Sequence, residues 1–284
     1  MRADVIVLGG GPAGLAAAAA LRGRNKDVLV VGNDWRDSPL ARAERVDNYL
    51  GLPGLTGREL LERFHAHVRE MGAQVLTGRV ISLMAWDGFA VTAGSETHQG
   101  TALVLAQGAV RQARLPGEEE YLGRGVSYCA TCDGMLYRGR RTAVVGLSKD
   151  APREANYLKS LGCQVVYISP APAEGLDPEI PQVRARRPEI RGGDTVTSLS
   201  ADGTDIPCQG VFILRQAVAP ADLLPQLEMR EGFLRVDRSM ATSVPGVFAA
   251  GDCTGAPLQV AKAVGEGHIA GLSAADYVEQ KKKQ

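Results

Sequence analysis

Short apolar runs alternate with glycine-rich turns and helix-forming stretches at the start of this chain. Residues 5–8 (VIVL) are apolar throughout, which is typical of a strand buried on both faces, and residues 28–31 (VLVV) form a second such run. The alanine-rich stretch that begins at Leu15 favours a helix between them. Together these segments predict a strand–helix–strand unit of about thirty residues.

The same alternation continues along the rest of the chain. Apolar positions between Gly57 and Met71 recur on one face of a helix. A second strand–glycine–helix pattern begins at Thr142, and residues 247–252 lead into the last helix. Further helices are predicted at about 151–161 and 260–280, and further short strands at 75–91, 102–106, 164–168 and 211–214.

The two strand–glycine–helix units indicate an α/β protein with two Rossmann-like, three-layer nucleotide-binding domains. The polar segment 111–117 contains a Pro-Gly pair and is a candidate linker between the domains. Residues 170–194 are rich in proline, glycine and charge, and we assign no helix or strand there.

Composition narrows the class of protein. The 32 basic residues balance the 32 acidic ones, so no overall field recruits nucleic acid or an anionic membrane. No apolar run reaches membrane-spanning length. The five cysteines are an odd number with one closely spaced pair, which indicates a reducing compartment rather than a disulfide scaffold. We therefore expect a soluble, cytoplasmic protein with neither nucleic-acid nor membrane partners.

The first glycine-rich turn has the spacing Gly9-x-Gly11-x-x-Gly14 and lies between a predicted strand and a predicted helix. Its glycines permit a tight turn, the approach of a pyrophosphate to backbone N–H groups, and close helix–strand packing. Pro12 and Ala13 begin the helix, whose N-terminus favours an anion. We expect these five residues to bind a dinucleotide cofactor.

One part of this motif is missing. An acidic residue usually follows the second strand of such a unit and binds the adenosine ribose. Gly32 stands at that place, followed by Asn33 and Asp34. These two side chains are our candidates for the ribose contact, through a shifted loop.

The segment Cys129-Ala-Thr-Cys132-Asp133-Gly134 carries the chemistry. Two residues between cysteines at a turn or helix start bring the sulfurs within disulfide distance. Asp133 is placed to shuttle the proton that thiol–disulfide exchange requires. We predict Cys129, Cys132 and Asp133 as the catalytic residues, with no metal.

Zinc and an inert pair of buried thiols are the alternatives for these cysteines. A structural zinc site needs four ligands, but the chain has no second Cys-x-x-Cys, and its histidines do not flank the pair in a zinc-finger spacing. His65 and His67, on the amphipathic helix, are predicted to be surface residues. Cys163 and Cys208 are interpreted as inert small residues, and Cys253 is given no role.

In order along almost the whole chain, the motifs resemble those of the low-molecular-weight thioredoxin reductase family. The combination is far more specific than any single motif. The matching segments are 9–14 (GGGPAG), 48–54 (NYLGLPG) with Thr56-Gly57, 106–109 (AQGA), 115–118 (LPGE), 128–134 (YCATCDG), 244–252 (VPGVFAAGD), Gln259-Val260 and 265–267 (GEG).

The resemblance implies a homodimeric flavoenzyme with a discontinuous FAD-binding domain, residues 1–112 and 240–284. The inserted domain, residues 113–239, would be a degenerate NAD(P)-type domain that carries the cysteine pair. The resemblance also implies that Cys132 faces the flavin and that Cys129 completes the disulfide.

The resemblance further assigns FAD contacts to residues of this sequence. Asp252 would bind the ribityl chain, and Gln259 and Val260 would lie at the isoalloxazine. Other cofactor contacts are expected at Asn48, Ala106, Gly108 and Gly251.

The second glycine loop departs from the family's pattern. Ordinary members bind NADPH there with a full Gly-x-Gly-x-x-Gly/Ala loop, whereas here Ser148 replaces the second glycine and Asp150 brings a negative charge near the phosphates. Ser169-Pro170 stands where the family has arginines for the 2′-phosphate, and the glycine after the late strand is replaced within 213–216. Three arginines come later in the sequence, and they could bind a 2′-phosphate only if the chain took a different path: Arg184, Arg186 and Arg187.

These replacements predict a domain that does not use NADPH, as in the pyridine-nucleotide-independent, ferredoxin-linked subgroup of the family. The leading hypothesis is a reductase that passes electrons from ferredoxin through FAD and the Cys129–Cys132 pair to thioredoxin. An NADPH-dependent thioredoxin reductase, an FAD-dependent dithiol oxidase or other disulfide reductase, and a non-catalytic redox-sensing flavoprotein remain open. A second flavin in the degenerate domain also remains open.

Overall fold

The computed structural model describes residues 1–94, 96–109, 114–215 and 218–283. The chain divides into two compact units, Met1–Val110 with Ala217–Gln284, and Arg111–Gln216. The second unit is therefore inserted in the first, as predicted. Residues 111–113 of the candidate linker lie outside the described residues.

The first unit opens with the predicted strand–helix–strand fold. β1 (Arg2–Leu8) is followed by α1 (Pro12–Gly23) and β2 (Val28–Gly32). Residues 5–8 are fully buried, which confirms the prediction from their unbroken apolar run. The next elements are α2 (Gly57–Glu70), β3 (Gln74–Thr77), β4 (Val80–Trp86), β5 (Gly88–Ala93) and β6 (Glu96–Leu105).

These strands form one sheet in the order β3-β2-β1-β6-β5-β4. β1 lies parallel to β2 and β6, and β3 lies parallel to β2, whereas β4, β5 and β6 form an antiparallel meander. Because the parallel strands run in one direction, the glycine turn after β1 and the loops after β2 and β6 lie at the same edge of the sheet.

The second unit is built on five parallel strands. Its elements are α3 (Glu118–Tyr121), β7 (Val126–Ser127), α4 (Ala130–Asp133), β8 (Arg141–Leu147), α5 (Ala151–Ser160), β9 (Gln164–Ser169), β10 (Gln182–Arg184), β11 (Pro188–Gly192), β12 (Val196–Ala201), β13 (Thr204–Pro207) and β14 (Gly210–Arg215). The parallel order is β10-β9-β8-β14-β7. The cysteine pair follows β7 and the second glycine loop follows β8, so both lie at the carboxyl edge of this sheet.

Residues 182–207 contain strands that the sequence did not indicate. β10 and β11 lie within the stretch left unassigned, and β11, β12 and β13 form an antiparallel sheet. These strands are three to six residues long. Such short segments carry too little periodicity to be separated from loops, and their pairing partners decide their conformation.

The chain returns to the first unit after residue 216, not near residue 240 as the sequence indicated. The returning elements are α6 (Pro220–Leu223), β15 (Met229–Arg230), β16 (Phe233–Leu234), β17 (Val247–Ala249) and α7 (Val260–Lys281). Residues 218–239 belong here because α6 contacts β4 and β16 contacts the turn Asp252–Thr254. β17 adds to the first sheet, parallel to β6.

Small residues let α1 and α7 pack closely. A Cβ at Gly267 would overlap the carbonyl oxygen of Ala13, and a Cβ at Gly251 would lie 2.8 Å from the Ala13 Cβ. The start of α1 is thereby fixed against both α7 and the loop after β17. Among the described residues, no helix is both long enough and apolar enough to cross a bilayer.

Candidate active site

The glycine turn after β1 is held by close backbone contacts. Gly9 has a φ of +120°, which side chains rarely adopt, and a Cβ there would overlap the carbonyl oxygen of Ala106. A Cβ at Gly14 would overlap the carbonyl oxygen of Gly9. These two glycines are therefore required for the tight turn and for the packing of α1 on the sheet.

Gly11 differs from both of them, because a Cβ there would meet no atom within 4 Å. Gly11 is the N-cap of α1, and Pro12 follows in the first helical turn. Gly11 has no side chain to cap the N–H groups of that turn, so the helix end offers donors and a partial positive charge beside an open space. A pyrophosphate fits this opening, and a side chain would fill it.

The loop after β2 shows why the usual acidic residue is missing. A Cβ at Gly32 would lie 2.8 Å from the backbone nitrogen of Gly10, so any side chain there would collide with the glycine turn. Asp34 lies two residues further on and accepts the N–H of Arg36 at 3.0 Å. That hydrogen bond and the charge of Arg36 hold the pKa of Asp34 below its ordinary value. A ribose contact by Asp34 or Asn33 remains a prediction.

His65 is not the surface residue that the sequence predicted, since only 2% of it is exposed. Its Nε2 donates to the carbonyl oxygen of Gly10 at 3.0 Å, and its ring stacks on Trp35 with 5.2 Å between ring centroids. Burial lowers the pKa of His65, so the ring is neutral at pH 7. His65 and Trp35 thus join the loop after β2 to the glycine turn. His67 is exposed, as predicted.

The loop after β17 is held by a half-buried ion pair on α7. Glu266 accepts the N–H of Gly251 at 2.9 Å and the hydroxyl of Thr254 at 2.8 Å. Lys262 donates to the carbonyl oxygen of Gly251 at 2.7 Å and lies 3.0 Å from the Glu266 carboxylate. This pair fixes the backbone on both sides of Asp252, whose pKa is raised by burial.

Two residues that the sequence assigned to FAD are hydrogen-bonded to each other at the start of α7. Asn48 Nδ2 donates to Gln259 Oε1 at 2.7 Å, and Gln259 is the N-cap of the helix that Val260 begins. Ala106 follows β6 against the glycine turn, and Gly108 has a φ of +74°. Every residue that the sequence assigned to FAD lies in the first unit.

Cys129 and Cys132 form a disulfide with 2.08 Å between sulfurs and 5.3 Å between Cα atoms, which confirms the predicted pairing. Cys129 is the N-cap of α4, and its sulfur accepts the N–H of Cys132 at 3.0 Å. Cys129 is buried, whereas Cys132 is exposed. Within the described residues, no three histidine, cysteine, aspartate or glutamate side chains converge as metal ligands.

The acid/base candidate Asp133 has a partner that sequence reasoning missed. Its Oδ2 accepts the hydroxyl of Ser127 at 2.7 Å. Ser127 ends β7 and is 5% exposed. A serine two residues before Cys129 is too common to be noticed in a sequence, and only the turn between β7 and α4 brings its hydroxyl to the carboxylate.

The other three cysteines are free and buried. Burial raises the pKa of Cys208 and of Cys253 to about 12 and also raises the pKa of Cys163. These thiols stay protonated at neutral pH. They are therefore poor nucleophiles, as expected for Cys163 and Cys208.

Side chains of the chain itself fill the carboxyl edge of the second sheet near β8. The phenol of Tyr167 packs on Gly146, where a Cβ would overlap its hydroxyl group. Tyr167 is 2% exposed, and burial raises its pKa to about 12, so it is neutral. Asp150 is the N-cap of α5 and places a carboxylate where a helix N-terminus would otherwise attract phosphate.

The same edge holds a buried ion pair at the end of β14. Arg215 donates to both carboxylate oxygens of Glu118, each at 2.6 Å, and Glu118 is 1% exposed. Glu118 also accepts the hydroxyl of Tyr128 at 2.8 Å. Burial by itself would raise the pKa of Glu118, but these hydrogen bonds outweigh it and hold the pKa below its ordinary value. Tyr128, the residue before Cys129, is thus connected through Glu118 to the end of β14.

Comparison with known proteins decides the family. Residues 3–267 match the family model of the pyridine nucleotide-disulphide oxidoreductases. The chain belongs to this family. It is an FAD-dependent disulfide oxidoreductase, and the uncapped start of α1 with the opening at Gly11 fits the cofactor's pyrophosphate.

Thioredoxin reductases are among the relatives of this oxidoreductase. A thioredoxin reductase from Listeria innocua is 33% identical over 99% of this chain and 95% of its own length. The solved structure of a ferredoxin-flavin thioredoxin reductase from Clostridium acetobutylicum is 38% identical, with a TM-score of 0.89 over 100% of this chain and 99% of that one. A thioredoxin reductase from Gloeobacter violaceus is 33% identical, with a TM-score of 0.80 over 99% and 95%.

Proposed function

We propose that this enzyme reduces the disulfide of thioredoxin with electrons that ferredoxin supplies. The choice of donor rests on the side chains at the carboxyl edge of the second sheet. A doubly wound domain holds a dinucleotide at that edge. Here Tyr167 covers Gly146, Asp150 opposes phosphate, and Arg215 is paired with Glu118. The likeness to the Clostridium acetobutylicum reductase supports the same choice.

In this proposal the first unit binds FAD. The start of α1 at Gly11 would hold the pyrophosphate, Asp252 would hold the ribityl chain, and Gln259 and Val260 would contact the isoalloxazine. FAD, when bound, would supply the redox chemistry that passes a pair of electrons from the donor to the disulfide. Lys262 and Glu266 hold the loop around Asp252 in the position from which Asp252 would contact the ribityl chain.

The second unit then performs thiol–disulfide exchange. Two electrons open the Cys129–Cys132 bond, and a thiolate of the pair attacks the disulfide of thioredoxin to form a mixed disulfide. The other thiolate attacks that bond, restores Cys129–Cys132 and releases the thioredoxin dithiol. Asp133 supplies a proton to a departing thiolate. A cytoplasmic location and a homodimeric assembly are also part of the proposal.

The choice of donor predicts how the flavin responds to reductants. Under anaerobic conditions we expect reduced ferredoxin to bleach the flavin absorbance and to sustain thioredoxin reduction. We expect NADPH and NADH at micromolar concentration to leave the spectrum unchanged, because no open glycine loop receives their pyrophosphate. A thioredoxin reductase with an intact second glycine loop serves as the positive control for NADPH. Prompt bleaching by NADPH would contradict the proposed donor.

A further inference from the structure

The hydroxyl group of Ser127 hydrogen-bonds both to the backbone of Cys129 and to the acid/base carboxylate of Asp133. It accepts the N–H of Cys129 at 3.1 Å and donates to Asp133 Oδ2 at 2.7 Å. The carbonyl oxygen of Cys129 is a second acceptor within reach, at 3.3 Å. Ser127 is 5% exposed, so water does not readily replace these contacts.

The Ser127 hydroxyl can pair with Asp133 either as a donor or as an acceptor. A serine hydroxyl has one proton to donate and two lone pairs to accept. While Asp133 is a carboxylate, the proton of Ser127 goes to Oδ2, since a hydrogen bond to a charged oxygen is shorter and stronger. One lone pair accepts the N–H of Cys129 at the same time.

The same heavy atoms also suit a protonated Asp133. The carboxylic acid then donates its own proton to the second lone pair of Ser127, and the serine proton turns to the carbonyl oxygen of Cys129. Only the hydroxyl hydrogen has to rotate. The Ser127 hydroxyl, the Cys129 N–H and Asp133 Oδ2 each keep a partner in both states, which matters because an unpaired polar group at a buried site is costly.

We propose that Ser127 is a positioning residue that holds Asp133 in one place in both of its protonation states. The inference rests on the proposed role of Asp133 in thiol–disulfide exchange. In that step an enzyme thiolate forms a new S–S bond while the substrate's S–S bond breaks, and the departing thiolate takes the proton of Asp133. The second substrate thiolate takes its proton from water, so two electrons and two protons reach the substrate.

The proposal can be tested by varying the thiolate that leaves the substrate disulfide. An aliphatic disulfide releases a basic thiolate that needs the proton, whereas an aromatic disulfide releases a weakly basic thiolate that departs without it. The rate measured is that at which a disulfide oxidises the Cys129–Cys132 dithiol of pre-reduced enzyme in a single turnover. With thioredoxin disulfide or glutathione disulfide, we expect Ser127→Ala to lower this rate about tenfold. That loss is part of the roughly hundredfold that a positioned acid contributes. Oxidation by an aromatic disulfide should change less than about twofold on the same grounds.

Ser169→Ala is the matched control. Ser169 also ends a parallel strand of this sheet, is 6% exposed, and donates to the carbonyl oxygen two residues on, at 2.6 Å. We expect this variant to keep the wild-type rates with all three disulfides. Ser127→Thr, which retains the hydroxyl, should recover most of the lost rate.

A double variant separates positioning from general structural damage. If Ser127 acts through Asp133, adding Ser127→Ala to Asp133→Asn should cause no further loss with glutathione disulfide. Equal slowing of aliphatic and aromatic disulfides, or full additivity of the two substitutions, would overturn the inference. If the wild-type enzyme reduces glutathione disulfide but not thioredoxin, the proposed function fails while the test of Ser127 stands.

Discussion

Cys129→Ser is expected to abolish disulfide reduction and to leave FAD bound. The reaction needs two sulfurs, one to form the mixed disulfide and one to resolve it, and a serine oxygen does neither at neutral pH. Turnover with thioredoxin should fall by at least about a thousandfold, as when a nucleophile is removed from an enzyme. Flavin absorbance should persist, because the residues assigned to FAD lie in the other unit.

A matched cysteine provides the control for this variant. Cys163 is 5% exposed in the same unit, and burial raises the pKa of its thiol. We expect Cys163→Ala to keep the wild-type rate of thioredoxin reduction, measured with reduced ferredoxin as donor. Cys132→Ser should be as inactive as Cys129→Ser. A Cys129→Ser enzyme that still turned over thioredoxin would favour the non-catalytic flavoprotein or a different redox centre.

Gly11→Asp is expected to remove FAD without disturbing the fold. A Cβ at Gly11 meets no atom within 4 Å, and aspartate is a good N-cap, so the apo-protein should melt within a few degrees of wild type. The new carboxylate would occupy the N–H donors of the first turn of α1 and repel the pyrophosphate. Two like charges about 4 Å apart near a protein surface repel by about 4 kcal/mol. That corresponds to about a thousandfold loss of affinity.

Titration of apo-protein with FAD, followed by flavin fluorescence, measures this loss. Gly23→Asp is the matched control, because Gly23 lies at the other end of α1 and a Cβ there also meets no atom within 4 Å. An aspartate there opposes the helix dipole by about 0.5 kcal/mol, and FAD affinity should stay at the wild-type value. Unchanged FAD binding by Gly11→Asp would place the pyrophosphate elsewhere.

The sequence by itself determined the features that depend on neighbouring residues. The apolar run of β1, the glycine turn and the start of α1 are local, and each was predicted because backbone conformation there follows from a few adjacent residues. The Cys129–Cys132 disulfide belongs to the same class, since one short helical turn brings the sulfurs together. The loss of the second glycine loop was equally visible in Ser148 and Asp150.

Only the tertiary structure decided the features that depend on distant segments. The boundary at residue 216, rather than near 240, follows from the contacts of α6 and β16 with the first unit. His65 is buried because the glycine turn passes beside α2, although its own helix position indicated solvent. The Arg215–Glu118 pair joins residues 97 positions apart. A local pattern records which residues are apolar or flexible, but a buried polar group finds its partner only when the chain has folded.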